Sequence, residues 1–208
     1  MISRIITHSM QENIYIITRD KTCIVIDPGD PSVLQALLAL DFDTIAVFLT
    51  HGHFDHVGGL DALYDKYQCP VYAHKKTEHL IRSTKLSLSA WGDGSVPEAP
   101  LVLMKDGENV AIGDVTMTLL ATPGHCEGSC VWICEEEHAL FTGDTLFAGS
   151  IGRTDFPTSS PEAMNESLAK IAAIEEDYDV WPGHGPGTTL EQEKIHNPFL
   201  SSLNGIEN

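Results

Sequence analysis

Apolar runs of strand length alternate along the chain with segments that have helical spacing. The first part predicts two strands, at residues 13–18 and 22–27, joined by a short turn. Pro31 suits the first turn of a helix over residues 32–40. The apolar run 44–49 then predicts a buried central strand.

The same alternation continues through the middle of the chain. Residues 57–67 have a helical spacing that puts four side chains on one face: Leu60, Leu63, Tyr64 and Tyr67. A short strand is predicted at 71–74 and a helix at 77–88. Residues 91–100, rich in glycine and proline, predict a loop within one domain.

Residues 109–125 predict a hairpin that turns at Gly113 and Asp114. Residues 128–134 are rich in β-branched and aromatic residues and predict a strand. The spacing of three cysteines would also suit one helix face, but the strand pattern is stronger: Cys126, Cys130 and Cys134. With Cys23 and Cys69 they make five, an odd number that favours reduced, buried thiols over a disulfide framework.

Four apolar strands end beside a histidine or an aspartate. The run 44–49 precedes a histidine cluster, and the hairpin ends at His125. Residues 139–144 end at Asp144, and residues 177–184 end at His184 after a helix predicted over 161–174. Because loops at strand ends converge on one edge of a sheet, we expect these side chains to meet there.

The cluster itself holds three histidines and one aspartate between His51 and His56. Imidazole nitrogen and carboxylate oxygen suit zinc, and also iron or manganese. In an extended segment, His51 and His53 point to the same side and can reach one ion, while the adjacent Asp55 and His56 can turn to a second. A purification tag would be an uninterrupted run at a terminus, whereas this cluster is internal. The cluster therefore predicts a metal site.

Length and charge limit the organisation and the partners. A chain of 208 residues favours a single domain over residues 1–208. The 12 Lys and Arg residues against 30 Asp and Glu residues give a net charge of −18, which disfavours nucleic acid and anionic membranes. No signal peptide or membrane-spanning run is apparent, so we expect a cytoplasmic protein. The sequence does not indicate the oligomeric state.

Four motifs occur in the order found in the metallo-β-lactamase superfamily, which the chain resembles over nearly its whole length: THGHFDH at 50–56, TPGH at 122–125, TGD at 142–144 and GHG at 183–185. The resemblance implies an α/β fold, an αββα four-layer sandwich with a metal site on one edge. It also implies two divalent metal ions, zinc first, with iron or manganese as alternatives.

The resemblance further implies a role for each residue of the site. One ion would be held by His51, His53 and His125, the other by Asp55, His56 and His184, and Asp144 would bridge them. Asp55 and Asp144 would be the catalytic carboxylates, around a hydroxide shared by the ions. Asp27 matches a position that supports the ligands from behind, with turn chemistry before Pro28 as the alternative.

The motifs and length look most like short, single-domain relatives of glyoxalase II. That resemblance implies a small-molecule thioester substrate of the S-acyl glutathione type, typically S-lactoylglutathione. Glyoxalase II has a lysine that contacts glutathione nine residues after the bridging aspartate, and Arg153 stands there in this chain. A guanidinium can bind a carboxylate with two hydrogen bonds, so Arg153 is the expected substrate contact, with a structural salt bridge as the alternative. Asp155 and Pro186 stand at two positions where the resemblance implies aromatic contacts. Glyoxalase II also has a basic carboxyl-terminal region, for which we expect no counterpart in this protein.

Other functions remain open. The segment 152–156, GRTDF, also resembles persulfide dioxygenases, in which one iron would be held by His51, His125 and Asp144. A non-catalytic metal-binding module is a further alternative, disfavoured because all seven ligand positions are filled. Asp144 disfavours a zinc β-lactamase, which usually has a single-metal ligand such as cysteine there. Flavodiiron reductases have a different ligand motif and an attached flavin domain.

Overall fold

The computed structural model describes residues 1–201, and residues 202–208 of the predicted domain lie outside the described residues. The strands are β1 Ile2–Ile6, β2 Asn13–Arg19, β3 Thr22–Ile26, β4 Thr44–Phe48, β5 Val71–His74, β6 Val102–Met104, β7 Asn109–Ile112, β8 Val115–Ala121, β9 Cys130–Cys134, β10 Ala139–Gly143, β11 Leu146–Phe147, β12 Ser150–Ile151, β13 Asp179–Pro182 and β14 Thr188–Thr189. The helices are α1 Val33–Leu37, α2 Phe54–Val57, α3 Leu60–Tyr67, α4 Thr77–Ile81, α5 Pro161–Ala172, α6 Leu190–His196 and α7 Pro198–Ser201, and Ser89–Trp91 form a 3-10 helix. No helix within residues 1–201 is long and apolar enough to cross a membrane.

The strands form two six-stranded sheets and a small two-stranded one. The first sheet has the order β1-β2-β3-β4-β5-β6, and β3 to β6 run parallel. The second has the order β14-β13-β10-β9-β8-β7, with β10 parallel to β13 and two antiparallel steps from β10 to β8. As a result, β8, β10 and β13 all end at the same edge of the second sheet.

Three apolar clusters fix the order of the layers. The central cluster joins the two sheets and includes Phe48 of β4 and Trp132 of β9. The other face of the first sheet packs against α1 and α3 through Val33 and Leu60. The other face of the second sheet packs against α5 through Leu168. Each sheet therefore buries one face against its partner and one against helices, which confirms the predicted αββα sandwich.

The predicted hairpin and strand in the second half are confirmed. Strands β7 and β8 pair across a turn at Gly113, whose positive φ of 56° glycine adopts without cost. Residues 130–134 form β9, and all five cysteines are free and buried. Strand β1 was not predicted, because all five of its residues are exposed or half-buried and give no clear alternation.

Two predicted helices are shorter than expected. The helix over 32–40 is limited to α1, and the helix over 57–67 is divided at Gly58 and Gly59 into α2 and α3. Gly59 N–H donates to the Pro28 carbonyl at 2.7 Å. A Cβ on either glycine would collide with the backbone of residues 29–30, so the loop at 28–30 sets the break.

The prediction of a helix through residue 88 is wrong after Ile81, where α4 ends. Ser83 Oγ accepts from Leu86 N–H at 3.3 Å, and Leu88 adopts a positive φ of 62°. Serine side chains that bond nearby backbone offer the chain an alternative to the helix. The resulting turn leads into the 3-10 helix and brings Trp91 to the edge where the histidine cluster of residues 51–56 lies.

Candidate metal centre

The seven predicted ligand residues meet at one edge of the sandwich. His51 follows β4 of the first sheet, whereas His125, Asp144 and His184 follow β8, β10 and β13 of the second. Residues 53–56 come from the loop and first turn after β4. The site is thus assembled from both sheets, and no single element could form it.

Three buried histidines form the first group. Nitrogen atoms of His51, His53 and His125 all lie within 4.8 Å of one another. Nδ1 of His53 and Nε2 of His125 are 2.9 Å apart. Two ring nitrogens at this distance repel unless a proton or a metal ion lies between their lone pairs, so the geometry suits a shared cation.

Asp55, His56 and His184 form the second group, whose ligand atoms also lie within 4.8 Å of one another. Nε2 of His184 is 3.3 Å from Oδ2 of Asp55. The His184 side chain is 28% exposed, whereas that of His56 is fully buried. This half of the site is therefore open to solvent on the His184 side.

Asp144 lies between the two groups. Its Oδ2 is 3.5 Å from Nε2 of His125 in the first group. Its Oδ1 is 3.4 Å from Nε2 of His56 and 3.7 Å from Nε2 of His184 in the second. One carboxylate thus presents one oxygen to each group, as the family resemblance implies.

Hydrogen bonds from behind orient two of the imidazoles. Asp27 Oδ2 accepts from His56 Nδ1 at 3.0 Å and from Thr50 Oγ1 at 2.5 Å. Since the Thr50 hydroxyl has one proton and donates it to Asp27, it accepts from Nδ1 of His51 at 3.1 Å. Both rings then direct Nε2 into the site. Asp27 also has a positive φ of 47°, so it combines the supporting and the turn roles considered from sequence.

Backbone carbonyls orient two more of the imidazoles. The Arg153 carbonyl accepts from His125 Nδ1 at 2.9 Å, and the Gln11 carbonyl accepts from His184 Nδ1 at 3.3 Å. Both rings again turn Nε2 inward. Sequence reasoning missed Gln11 and Thr50, because a carbonyl contact has no residue-type signature and a lone threonine is common at strand ends.

The first group is built to be neutral. Burial lowers the pKa of His51 well below its usual value, and lowers that of His53 to about 3. Burial also lowers the pKa of His125, although Asp144 opposes the shift. Neutral imidazoles keep a free lone pair at neutral pH, which is the form that binds metal.

The carboxylates in and beside the second group favour a bound cation. Burial alone would lower the pKa of His56, but the Asp144 and Asp55 carboxylates raise it well above its usual value. Burial opposes ionisation of Asp144, yet His56 holds its pKa well below the usual range. The pKa of Asp55 is lowered in the same way, mainly by His56 against the effect of burial. The carboxylates are ionised and attract a cation.

The donor set fits divalent metal ions. Within residues 1–201, several buried polar atoms of the site have no hydrogen-bond partner: Nε2 of His51, Nε2 of His56 and Oδ1 of Asp144. Buried polar atoms are normally satisfied, and here they converge with imidazole and carboxylate groups that suit zinc, iron or manganese.

Glu12 is a further buried acid that sequence reasoning missed. Its side chain is fully buried, and Oε1 lies 4.0 Å from Nδ1 of His56. Burial raises its pKa to about 10. Nothing in the sequence marks it, since it stands in a polar segment before β2.

Arg153 lies at the mouth of the site rather than inside it. Its guanidinium donates to both oxygens of Asp155, at 2.6 and 2.7 Å, and lies 4.3 Å above the Phe156 ring. The side chains of Arg153 and Asp155 are 58% and 65% exposed. Arg153 thus lines the cavity in front of the centre while it forms the salt bridge considered as the alternative.

That cavity has a volume of about 450 Å³ and reaches both groups of candidate ligands directly. Residues of both groups line it, among them His53, His125 and His184. A small organic substrate fits this volume, since such sites usually measure a few hundred cubic ångströms.

Comparison with known proteins identifies a family that the chain matches. A family model described as the metallo-beta-lactamase superfamily matches residues 9–184. A probable metallo-hydrolase, YqgX, of Bacillus subtilis is 33% identical over 93% of this chain and 94% of its own length. The hydroxyacylglutathione hydrolase GloC of Haemophilus influenzae is 34% identical over 93% of this chain and 95% of its own length.

Solved structures share the fold closely. The BLEG-1 B3 metallo-beta-lactamase has a TM-score of 0.88 and 37% identity, covering 97% of this chain and all of its own. TTHA1623 in a di-iron-bound form has a TM-score of 0.83 and 35% identity, covering 95% and 100%. ETHE1 from Myxococcus xanthus has a TM-score of 0.79 and 26% identity, covering 97% and 85%. With the family model matched over most of its length, the chain belongs to the metallo-beta-lactamase superfamily.

Proposed function

We propose that this chain is a binuclear, zinc-dependent thioester hydrolase of the glyoxalase II type. The observation that carries the proposal is the pair of three-residue groups with Asp144 between them. Two closed structural sites would take eight separate protein ligands, whereas here seven residues serve two ions and Asp144 is shared, which leaves room for water and substrate. The similarity to the Haemophilus influenzae hydroxyacylglutathione hydrolase supports the choice of substrate class.

In this proposal, one ion would be held by His51, His53 and His125, and the other by Asp55, His56 and His184, with Asp144 available to both. When bound, such ions supply a water of lowered pKa and polarise a substrate carbonyl. The first group offers neutral imidazoles, and the ionised carboxylates of Asp55 and Asp144 would favour a cation beside His56 and His184.

The chain's own residues then orient the reaction. The Asp55 carboxylate is ionised and lines the cavity, so its Oδ atoms can accept a hydrogen bond from the attacking water. The thiol that leaves has a pKa of roughly 8.5 and departs as a thiolate without a strong general acid. Arg153 can contact a substrate carboxylate at the cavity mouth if that carboxylate displaces Asp155.

The deciding experiment measures metal content and activity on one untagged sample. Plasma mass spectrometry is expected to find about two zinc ions per chain, and the same protein is expected to hydrolyse S-lactoylglutathione. Removal of metal with a chelator should abolish the hydrolysis, and added zinc should restore it. Turnover of a cephalosporin without thioester cleavage would contradict the proposal and favour the activity of the similar B3 enzyme.

An iron-dependent persulfide dioxygenase is the second candidate. The similar structure in a di-iron-bound form shows that a close fold can hold iron, and residues 152–156 carry the GRTDF resemblance. In that case, His51, His125 and Asp144 would hold one iron. About one iron per chain, with oxygen uptake on glutathione persulfide and no thioester cleavage, would replace the hydrolase with this function.

A further inference from the structure

The cavity in front of the centre has an apolar wall. Seven of the residues that line the cavity are apolar: Met10, Phe54, Leu88, Trp91, Phe147, Ile151 and Phe156. Trp91 is 69% exposed and Met10 is 46% exposed. Large apolar side chains exposed together around a concave site usually mark a surface that binds an apolar group.

This wall is continuous with both the first and the second group of candidate ligands. The Phe156 ring centroid lies 5.5 Å from that of His53 and 5.6 Å from that of His125. Trp91 extends the wall outward, edge to face with Phe156 at 5.6 Å. On the other side, Phe147 lies 6.3 Å from His184. Aromatic rings therefore lie next to histidines of both groups.

Charge around the cavity disfavours a polyanionic substrate. Among the described residues that line it, Arg153 is the one Lys or Arg side chain, and Asp155 already binds its guanidinium. The bound ions would offset the charges of Asp55 and Asp144, but the chain as a whole has a net charge of −18. Glutathione carries more than one carboxylate, so most of its anionic groups would find no cationic partner here.

We propose that the preferred substrate is a thioester with an apolar acyl group, and that this acyl group binds against Trp91 and Phe156. The inference rests on the proposed thioester hydrolysis and deepens it by naming the acyl class. Lactoyl, which is small and carries a hydroxyl, would leave the wall mostly uncovered. An alkanoyl chain of four to six carbons would cover it.

The extent to which the acyl chain is buried sets the expected preference for longer acyl groups. A fully buried methylene contributes about fourfold in kcat/KM, and a partly buried one contributes less. Hexanoyl thioesters should therefore be hydrolysed roughly tenfold faster or more than acetyl thioesters, in kcat/KM. The comparison is made with acetyl, butyryl and hexanoyl thioesters of glutathione and of uncharged N-acetylcysteamine, each corrected for its hydrolysis by hydroxide.

A variant of the wall tests the assignment. Trp91→Ala should lower the hexanoyl-to-acetyl ratio of kcat/KM by roughly fivefold. The matched control is Leu38→Ala, since Leu38 is 64% exposed but lies at the end of α1, outside the cavity. That variant should keep the wild-type ratio.

Binding of S-methyl and S-hexyl glutathione to metal-depleted protein gives a readout independent of turnover. Calorimetry should find the hexyl thioether bound more tightly, and Trp91→Ala should reduce the difference between the two.

The outcomes separate the two proposals. If no thioester is hydrolysed by zinc-loaded protein, the proposed function and this inference both fail. If thioesters are hydrolysed but the rate is flat or falls with acyl length, only the inference is overturned. A loss in Trp91→Ala that is equal for every acyl length would also overturn it, because it would indicate a general structural role.

Discussion

At the scale of single residues, the centre depends on which ring nitrogen each histidine presents. Asp27 and Thr50 fix Nδ1 of His56 and His51, and backbone carbonyls fix Nδ1 of His125 and His184. Each of these rings then offers Nε2. His53 differs, since its Nδ1 faces the first group. Residues behind the ligands therefore determine ligand geometry as much as the ligands do.

Asp27→Asn should weaken metal binding by about 10- to 100-fold. The amide would place an NH2 group where a carboxylate oxygen now accepts from His56 or Thr50, so a donor would face a donor. Competition with a chromophoric chelator measures the affinity. Asp41→Asn, at a surface ion pair with a side chain 86% exposed, is the control and should bind metal like the wild type. Equal affinity in the Asp27 and Asp41 variants would contradict the supporting role.

Asp144→Ala should lose thioester hydrolysis and part of the bound metal while it keeps the wild-type circular dichroism spectrum. The carboxylate faces both groups, so its removal would affect both proposed ions, whereas the buried apolar clusters would be unchanged. Asp65→Ala, at an exposed position on α3, serves as the control. Retained turnover in a fully metal-loaded Asp144→Ala variant would exclude the proposed role.

The cysteines should resist thiol reagents in the folded protein at pH 8. Burial raises the pKa of Cys23 to about 12 and that of Cys134 to about 11. The thiolate is the reactive form, so its population is negligible well below these values and rises only as the pH approaches them. A colorimetric thiol assay should detect slow labelling in native protein and all five thiols after unfolding in guanidinium. Rapid labelling of the native state would contradict this expectation.

At the scale of elements, the site depends on close contacts where strands end. Gly143 ends β10 directly before Asp144, with a positive φ of 48°, and a Cβ there would collide with the Thr50 side chain. Thr50 lies just after β4 of the other sheet and also bonds Asp27 and His51. The glycine thus allows the ends of β4 and β10 to approach and bring Asp144 to the histidine cluster.

Gly143→Ala should lower the free energy of unfolding by about 2–5 kcal/mol, since positive φ and overpacking both act. Gly149→Ala separates the two causes. Gly149 also has a positive φ, 69°, but a Cβ there meets nothing within 4 Å, so its cost should be about 1–2 kcal/mol. Guanidinium denaturation measures both. A Gly149 variant as unstable as the Gly143 variant would show that backbone strain alone explains the loss.

At the scale of the whole molecule, the two sheets must hold a fixed relation, because each contributes ligands. Trp132 of β9 is fully buried at their interface and donates from Nε1 to the Leu49 carbonyl at 2.9 Å. Its ring also packs edge-on against Phe48, with centroids 4.8 Å apart. Leu49 precedes the histidine cluster by two residues, so this hydrogen bond ties the second sheet to the segment that carries it.

Trp132→Phe should destabilise the protein by about 2–4 kcal/mol, from a small cavity and a buried carbonyl that loses a donor. Trp91→Phe, at an exposed position, should change stability by less than about 0.5 kcal/mol. Thermal and guanidinium unfolding of metal-depleted samples measure the two variants without metal linkage. Equal stabilities would show that Trp132 does not connect the sheets energetically.

Local pattern in the sequence predicted most strands and the positions of the polar residues after them. Apolar runs such as 44–49 and 139–143 need no tertiary information, because burial on both faces leaves a continuous hydrophobic signature. Helix ends were predicted less well. The break at Gly58 and Gly59 depends on the loop at residues 28–30, and the end of α4 depends on serine side chains, neither of which periodicity records.

By itself, the sequence determined the chemistry of the centre, since residue type and spacing in HGHFDH limit which ligands can share an ion, and it supplied the motifs that indicate the family. Only the tertiary structure decided which atoms of those residues face one another, because Asp144 and the histidines come from two sheets that meet through packing. It also decided the supports at Gln11 and Thr50 and the apolar wall at Trp91 and Phe156. Those contacts join residues far apart in the chain, and no local pattern encodes them.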